Sequence, residues 1–340
     1  MKAGKHMLDS SVRSTSRQPA RSLGWVACLV VAALLALSGC ASIQVHLGMK
    51  VYLAKTAIAS MEVKLPSGPG IAPGDKKSPL VVTVTEPNGK VLQTEGAGHG
   101  KIMWKDLKVT ASVVAVNQKG IVSLPQDPRI SDGKLPHVTI TVPSHPDIHA
   151  ELDIPVRYDR AFVSNFSGSP GSSGMSGSTG SGDPNNPSPG GNGSNGSDGS
   201  NGGDGGPGGD APPVQVRVTL RAGSQPLLQA SVSGAGRTTM FLVDPLKGSL
   251  MVKAEGGPGG SGGRGGRGGS GGSGGSGSPN GQSGSNGSDG RSGSDGPPGR
   301  GGSITVTYDP QVQPFLRAIP LSNMGGPRPV FKEEPVAPLW

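Results

Sequence analysis

Cysteine is almost missing from this 340-residue chain, with Cys28 inside an apolar run and Cys40 just past its end. Aromatic residues make up 3% of the chain, so cores must be small and assembled from aliphatic and β-branched side chains. From Ile58 to about Phe162 no window holds a 3.6-residue apolar period, which excludes a helical bundle there. The longest apolar run, 23–37, is too short to cross a bilayer comfortably. No Gly-x-Ser-x-Gly sits at a strand–helix elbow, so the abundant serines lack the setting of a nucleophile. The nearest approach to a phosphate-binding loop is Gly96-Ala97-Gly98-His99-Gly100-Lys101-Ile102. It is one residue short between its glycines and carries Ile where Ser or Thr must reach Mg²⁺. Concentrated charge is missing too. The formal net charge is +8, but Lys2, Lys5, Arg13, Arg17 and Arg21 against Asp9 put +4 of it on residues 1–39, leaving +4 on the other 301. That density is too dilute for a nucleic-acid partner. No enzymatic activity and no cofactor are expected.

Glycine, by contrast, occurs 60 times and follows a beat. Through 256–277 it occupies every third position: Gly256, Gly259, Gly262, Gly265, Gly268, Gly271, Gly274 and Gly277, most triplets being Gly-Gly-x. One extra residue, Asn280, then shifts the phase, and the beat resumes at Gly281 and holds through Gly299. The shift falls in Ser278-Pro279-Asn280-Gly281, which is turn chemistry. Two rods joined by a tight reversal are expected.

A period of three is that of the polyproline II helix, which rises about 3.1 Å per residue and makes no internal hydrogen bonds. Its residues three apart stack along one edge, so a Gly-Gly-x rod has two edges of bare backbone and one ridge of side chains. Eight triplets span about 75 Å. Bare edges let rods approach until each N–H finds a carbonyl on a neighbour, because enclosed backbone groups must be paired. Glycine loses more freedom on ordering than any other residue, so several rods must order together. The rod 256–277 should be the enclosed one, with its phase glycines packing, and the Gly-x-y runs 168–180 and 281–299 should lie outside. Two other readings compete: flexible Gly/Ser linkers, and an intermolecular collagen-like helix. A linker has no reason to keep phase, and collagen wants proline where this chain has Gly, Ser, Asn and Asp.

The same plan occurs earlier. Glycine recurs at 168, 171, 174, 177 and 180, a proline-rich break follows, and the beat continues from 190 to 208. Between the two copies lie alternating stretches such as Val214, Val216, Val218 and Leu220, and Ile304, Val306 and Tyr308 follow the last rod directly. Residues 58–166 read as seven or eight short strands cut by turns, among them Pro87-Asn88-Gly89 and Asn117-Gln118-Lys119-Gly120. The expected fold is all-β: an immunoglobulin-like β-sandwich over 58–166, then a small β-module with glycine-rich rods between its strands over 167–320. Residues 40–57 read as a tether with a short strand at Val51-Tyr52-Leu53, and 321–340 as a proline-rich tail that lies back on its own sheet or, ending in Leu339-Trp340, serves as a docking tail. A short helix is expected after Asp309-Pro310.

Leu37-Ser38-Gly39-Cys40, after a basic and then an apolar segment, resembles the lipobox of bacterial lipoproteins. That resemblance implies cleavage between Gly39 and Cys40 of a signal spanning 1–39, and acyl chains on Cys40 that anchor the protein in a membrane. Ala41 after the cysteine implies the outer membrane, on its periplasmic or surface face. The strand–rod junctions Lys253-Ala254-Glu255-Gly256-Gly257-Pro258 and Gly299-Arg300-Gly301-Gly302-Ser303-Ile304 resemble those of the N-terminal domain of the Obg GTPases. That domain is a small β-barrel from which glycine-rich helices project. The resemblance covers about 168–309 and brings no GTPase domain with it.

One further constellation bears on chemistry. His145, Asp147, His149, Glu151 and Asp153 share one face of a strand and could meet a divalent metal, although neighbours on that face stand almost 7 Å apart. A solvated strand face gives the same pattern. Gly202-Gly203-Asp204-Gly205-Gly206-Pro207 lacks the aliphatic residue of a calcium-binding nonapeptide. The expected work is structural: spacing, rigid display or surface interaction in the cell envelope. A module that binds an envelope protein or glycan is the alternative.

Overall fold

The computed structural model describes residues 48–182, 187–223 and 225–340. Gly39, Cys40 and the apolar segment before them lie outside these residues. Among the described residues no helix is long and apolar enough to cross a membrane. The protein is mostly β-structure.

Nine short strands form the first module: β1 (Ser60–Lys64), β2 (Ser78–Pro79), β3 (Val81–Thr85), β4 (Val91–Gln93), β5 (Lys108–Ser112), β6 (Ala115–Val116), β7 (Ile121–Ser123), β8 (His137–Val142) and β9 (His145–Asp153). They make three antiparallel sheets ordered β1-β3-β4, β2-β7-β6 and β5-β8-β9. Alternation decides what goes inward: Val82 and Val84 of β3, and Val138, Ile140 and Val142 of β8, all reach one core with Leu53, Ile102 and Trp104. Turn chemistry fixes the hairpins. Gly89 takes φ +82° while the Asn88 carboxamide accepts from Lys90 N, closing β3 onto β4. Gly120 takes φ +70° beneath the Trp104 ring, where a Cβ would collide with the indole.

Two expected boundaries move. Residues 48–57 are no free tether: Val51 N donates to Lys101 O at 3.0 Å, Leu53–Lys55 is a 3₁₀ turn rather than a strand, and Leu53 is wholly buried. The cause is the apolar Leu53 side chain, which the core takes in. At the other end, β10 (Ala161–Asn165), expected in the first unit, pairs parallel with β14 (Ser249–Lys253), and Phe166 packs in the second core. Each of these strands runs directly into a glycine rod, and the rods lie side by side.

The second module adds β11 (Val214–Arg221), β12 (Leu227–Gly234), β13 (Arg237–Val243), β15 (Ile304–Tyr308), β16 (Leu321–Ser322) and β17 (Val330–Glu333). One sheet runs β13-β12-β11-β15-β17 and a second, all parallel, runs β10-β14-β16. Val216, Val218, Leu228, Ala230, Leu250, Val252, Ile304 and Val306 fill the core. The pairing of β11 with β15 is also parallel. Parallel neighbours need a long crossover between them. Here the crossovers from β10 to β14, from β11 to β15 and from β14 to β16 each include a hairpin of two glycine rods, while β15 reaches its parallel neighbour β17 through 309–329 without one. After β15 the expected helix is present as 3₁₀ turns over Pro310–Ala318, capped where Asp309 accepts from Gln311 N at 3.1 Å.

Candidate functional site: the four-rod bundle

Four glycine-rich segments leave the second module and lie side by side: rod 1 (168–182), rod 2 (190–210), rod 3 (255–277) and rod 4 (281–302). Their hydrogen bonds run between rods at every third residue. Gly168, Gly171, Gly174, Gly177 and Gly180 of rod 1 donate to carbonyls of rod 3 at 2.7–2.8 Å. Gly257, Gly260, Gly263, Gly266 and Gly269 of rod 3 donate to rod 2, and Gly209, Gly206, Gly203, Ser200 and Ser197 of rod 2 donate to rod 1. A second ring shares the central pair. Gly193 to Gly208 of rod 2, by threes, donate to rod 4, and Gly284 to Gly299 of rod 4 donate back to rod 3. Rods 2 and 3 therefore bond to every other rod, and rods 1 and 4 flank them.

Rod 3 presents three distinct edges. Gly257, Gly260, Gly263, Gly266, Gly269, Gly272 and Gly275 are buried, while Pro258, Ser261, Arg264, Arg267, Ser270 and Ser273 form an exposed ridge. The remaining edge carries Gly256, Gly259, Gly262, Gly265, Gly268, Gly271 and Gly274, which lie against rod 4 carbonyls from Gly299 down to Gly281. A Cβ on either glycine edge would be driven into a carbonyl of the next rod. Gly277 stands apart from them at the tip, against Gly190. The turn there is tied by Gly277 N to the Asn280 carboxamide at 2.9 Å and by Gly281 N to Gly275 O at 2.9 Å.

One set of residues escaped sequence reasoning. The third position of rod 2 is Asn192, Asn195, Asp198, Asn201, Asp204 and, past Pro207, Asp210. Each side-chain oxygen accepts the N–H of the rod 4 residue 90 positions later, at 2.6–2.9 Å. Rod 4 repeats the device toward rod 3, where Asn286, Asp289 and Asp295 accept from Gly271, Gly268 and Gly262 at 2.8–2.9 Å. The cause is geometric. A three-edged rod has already committed its carbonyls to other neighbours, so the remaining N–H groups need a side-chain acceptor about one atom shell farther out. Where rod 2 has Pro207 in place of an acceptor, the facing residue 90 later is Pro297, which has no N–H to satisfy. The readable signal was Asn or Asp at every third residue.

The offset of 90 is inherited from the sheet, since Val214 pairs with Ile304 and Val218 with Tyr308. Likewise β10 pairs with β14 at an offset of 88, as Ala161 with Ser249, and Ser173 meets Ser261 across rods 1 and 3 at that same offset. The strand register thus sets the rod register.

The other sequence candidates are scattered. Asp147 and His149 lie exposed on β9, and His145 Nδ1 is 2.9 Å from the hydroxyl of Ser144. Asp153 is 2.8 Å from His137 on β8. Among the described residues no group of three or more His, Cys, Asp or Glu could hold a metal ion. In the loop 96–102, Ile102 is fully buried and Gly100 lies against the Gln93 backbone, so the segment is a packed turn. Compared with protein families, with curated proteins and with solved structures, the chain matches none of them.

Proposed function

We propose that this chain is a lipid-anchored protein of a bacterial cell envelope whose rods form a polyglycine II bundle, a stiff element for spacing or display. The observation that carries this reading is the closed pattern of inter-rod hydrogen bonds, each rod bonded to at least two others. A linker would leave those groups to water, and a collagen-like helix would bond them between chains; here they close within one chain. Membrane attachment rests on the lipobox ending at Cys40, and an outer-membrane location on Ala41 after it. The strand–rod junctions support an Obg-like plan for the second module, with a display role in place of GTPase coupling. The first module is read as immunoglobulin-like because its strands are short and antiparallel and the faces of its three sheets share one core.

Two experiments test the two halves. Cells expressing the protein should incorporate labelled palmitate, and Cys40→Ser should abolish it; label on the variant would exclude Cys40 as the anchor. Nitroxides at Gln282 and Arg300, both exposed on rod 4, should give a narrow distance distribution near about 55 Å. A broad distribution centred well below that would mean a flexible tract and would remove the display reading.

A further inference from the structure

A hollow of about 710 Å³ opens on the first module where the described chain begins, with Gly48 in its wall. Four of its thirteen lining residues are lysines, namely Lys50, Lys55, Lys90 and Lys101, with His99 beside them and no acidic residue among them. Glu95 and Glu86 pair with Lys50 and Lys90 at 2.6 and 3.2 Å. Among the described residues no carboxylate lies within ion-pair distance of Lys55 or Lys101, and the Lys101 ammonium donates to Gly48 O at 2.7 Å. Two large apolar side chains stand exposed at the same place: Val91 in the wall and Met49 beside Gly48, each 57% accessible.

Lysines around protruding apolar side chains suit one environment better than water. The apolar tips gain by entering the boundary of a bilayer, and the ammonium groups gain from anionic headgroups at the same depth. The position of the hollow agrees. Residues 41–47 alone separate Gly48 from Cys40, a reach of about 28 Å when fully extended. If Cys40 carries the anchor, as proposed above, this face is held close to the membrane whatever the tether does. We propose that the lysine-lined hollow, with Met49 and Val91 at its rim, docks on anionic phospholipid headgroups and so orients the first module on the bilayer.

The test uses the chain from residue 40 onward carrying Cys40→Ser, which has no acyl chain, sedimented with vesicles. It should bind vesicles containing phosphatidylglycerol and not those of phosphatidylcholine alone, and added salt should weaken the binding. Lys55→Glu with Lys101→Glu should lower the partition coefficient at least about tenfold, at roughly one kcal/mol per lysine removed and more for reversal. Lys55→Gln with Lys101→Gln should give a smaller loss, while Arg264→Glu with Arg267→Glu on the rod ridge should change nothing. No binding to anionic vesicles, equal binding by the lysine variants, or loss on the rod variant would each overturn the proposal. The anchor stands or falls separately: a native chain that takes up no palmitate, while the Cys40→Ser chain still binds anionic vesicles, defeats the lipoprotein reading and leaves this one intact.

Discussion

A single hydrogen in place of a methyl group decides whether two main chains can touch, and residue 266 shows the consequence. Its N–H donates to Ser200 O, its carbonyl accepts from Gly290 N, and a Cβ there would strike Ser178 O. Gly266→Val should cost about 3 kcal/mol or more, because the obstruction is backbone with no rotamer to relax. Ser270→Val, on the exposed ridge of the same rod, should stay within about 0.5 kcal/mol. Thermal unfolding of the two variants separates them. Asp289→Ala removes the acceptor for Gly268 N and should cost about 1 kcal/mol, since water can partly replace it at an exposed site. The glycine pattern was legible because it recurs at every triplet. The Asn and Asp acceptors are equally periodic, but nothing local marks them, because their partners lie on another rod, 90 residues away for rod 2 and 15 to 33 for rod 4. Elsewhere Arg157 holds the Asp159 carboxyl below the ordinary aspartate value, chiefly by a side-chain hydrogen bond. That group is a stronger acid folded than unfolded, so its contribution is complete above the unfolded value and is lost as pH falls through the folded one. Asp159→Asn should therefore lower Tm at neutral pH and by less in acid.

Elements obey phase more than composition. Deleting Ser270 alone would rotate every later residue of rod 3 by one edge and carry Ser273 onto the buried glycine edge, against a neighbouring main chain. Deleting the triplet 268–270 shortens rod 3 by about 9 Å but keeps every later residue on its own edge. The single deletion should expose rods 3 and 4 to rapid cleavage by a broad-specificity protease, and the triplet deletion should not; a linker would be cut alike in both. Strand alternation and turn chemistry made most β elements readable, including the hairpin at Pro87-Asn88-Gly89. The partner of β10 was not readable. Its sequence, Ala161-Phe162-Val163-Ser164-Asn165, suits an edge of either sheet, and only the rod that follows it selects β14. The same limit hid the docking of residues 48–57, where one buried leucine outweighs a loop-like neighbourhood.

At the scale of the molecule, the C-terminal segment adds a second join to the one at 157–160, where Asp244 N donates to Tyr158 O at 2.9 Å and Arg157 N to Ile71 O at 2.8 Å. It pairs with β15 as β17, crosses the five-stranded sheet where Thr219 donates to Val336 O at 2.9 Å, and reaches the Gln229 side chain through Leu339 N. The Trp340 indole then donates to Asp132 Oδ2 in the first module at 2.9 Å. Arg221 of β11 approaches the other oxygen of Asp132 at 3.0 Å as an ion pair that is not aligned as a hydrogen bond. Sequence reading placed the tail on its own sheet but gave no sign of this bridge, since nothing local marks a tryptophan for a carboxylate 208 residues away. Trp340→Ala should weaken the coupling between the modules, and Trp340→Ala with Arg221→Ala should weaken it further, which calorimetry should show as a broadened and then a split unfolding transition. The central claim is that main chain bonds sideways to main chain, and the amide exchange of the rod 3 glycines reads it most directly. The account predicts that the N–H groups of Gly257, Gly260, Gly263 and Gly266 exchange orders of magnitude more slowly than an unstructured glycine peptide under native conditions. Exchange at the rate of the free peptide would contradict it.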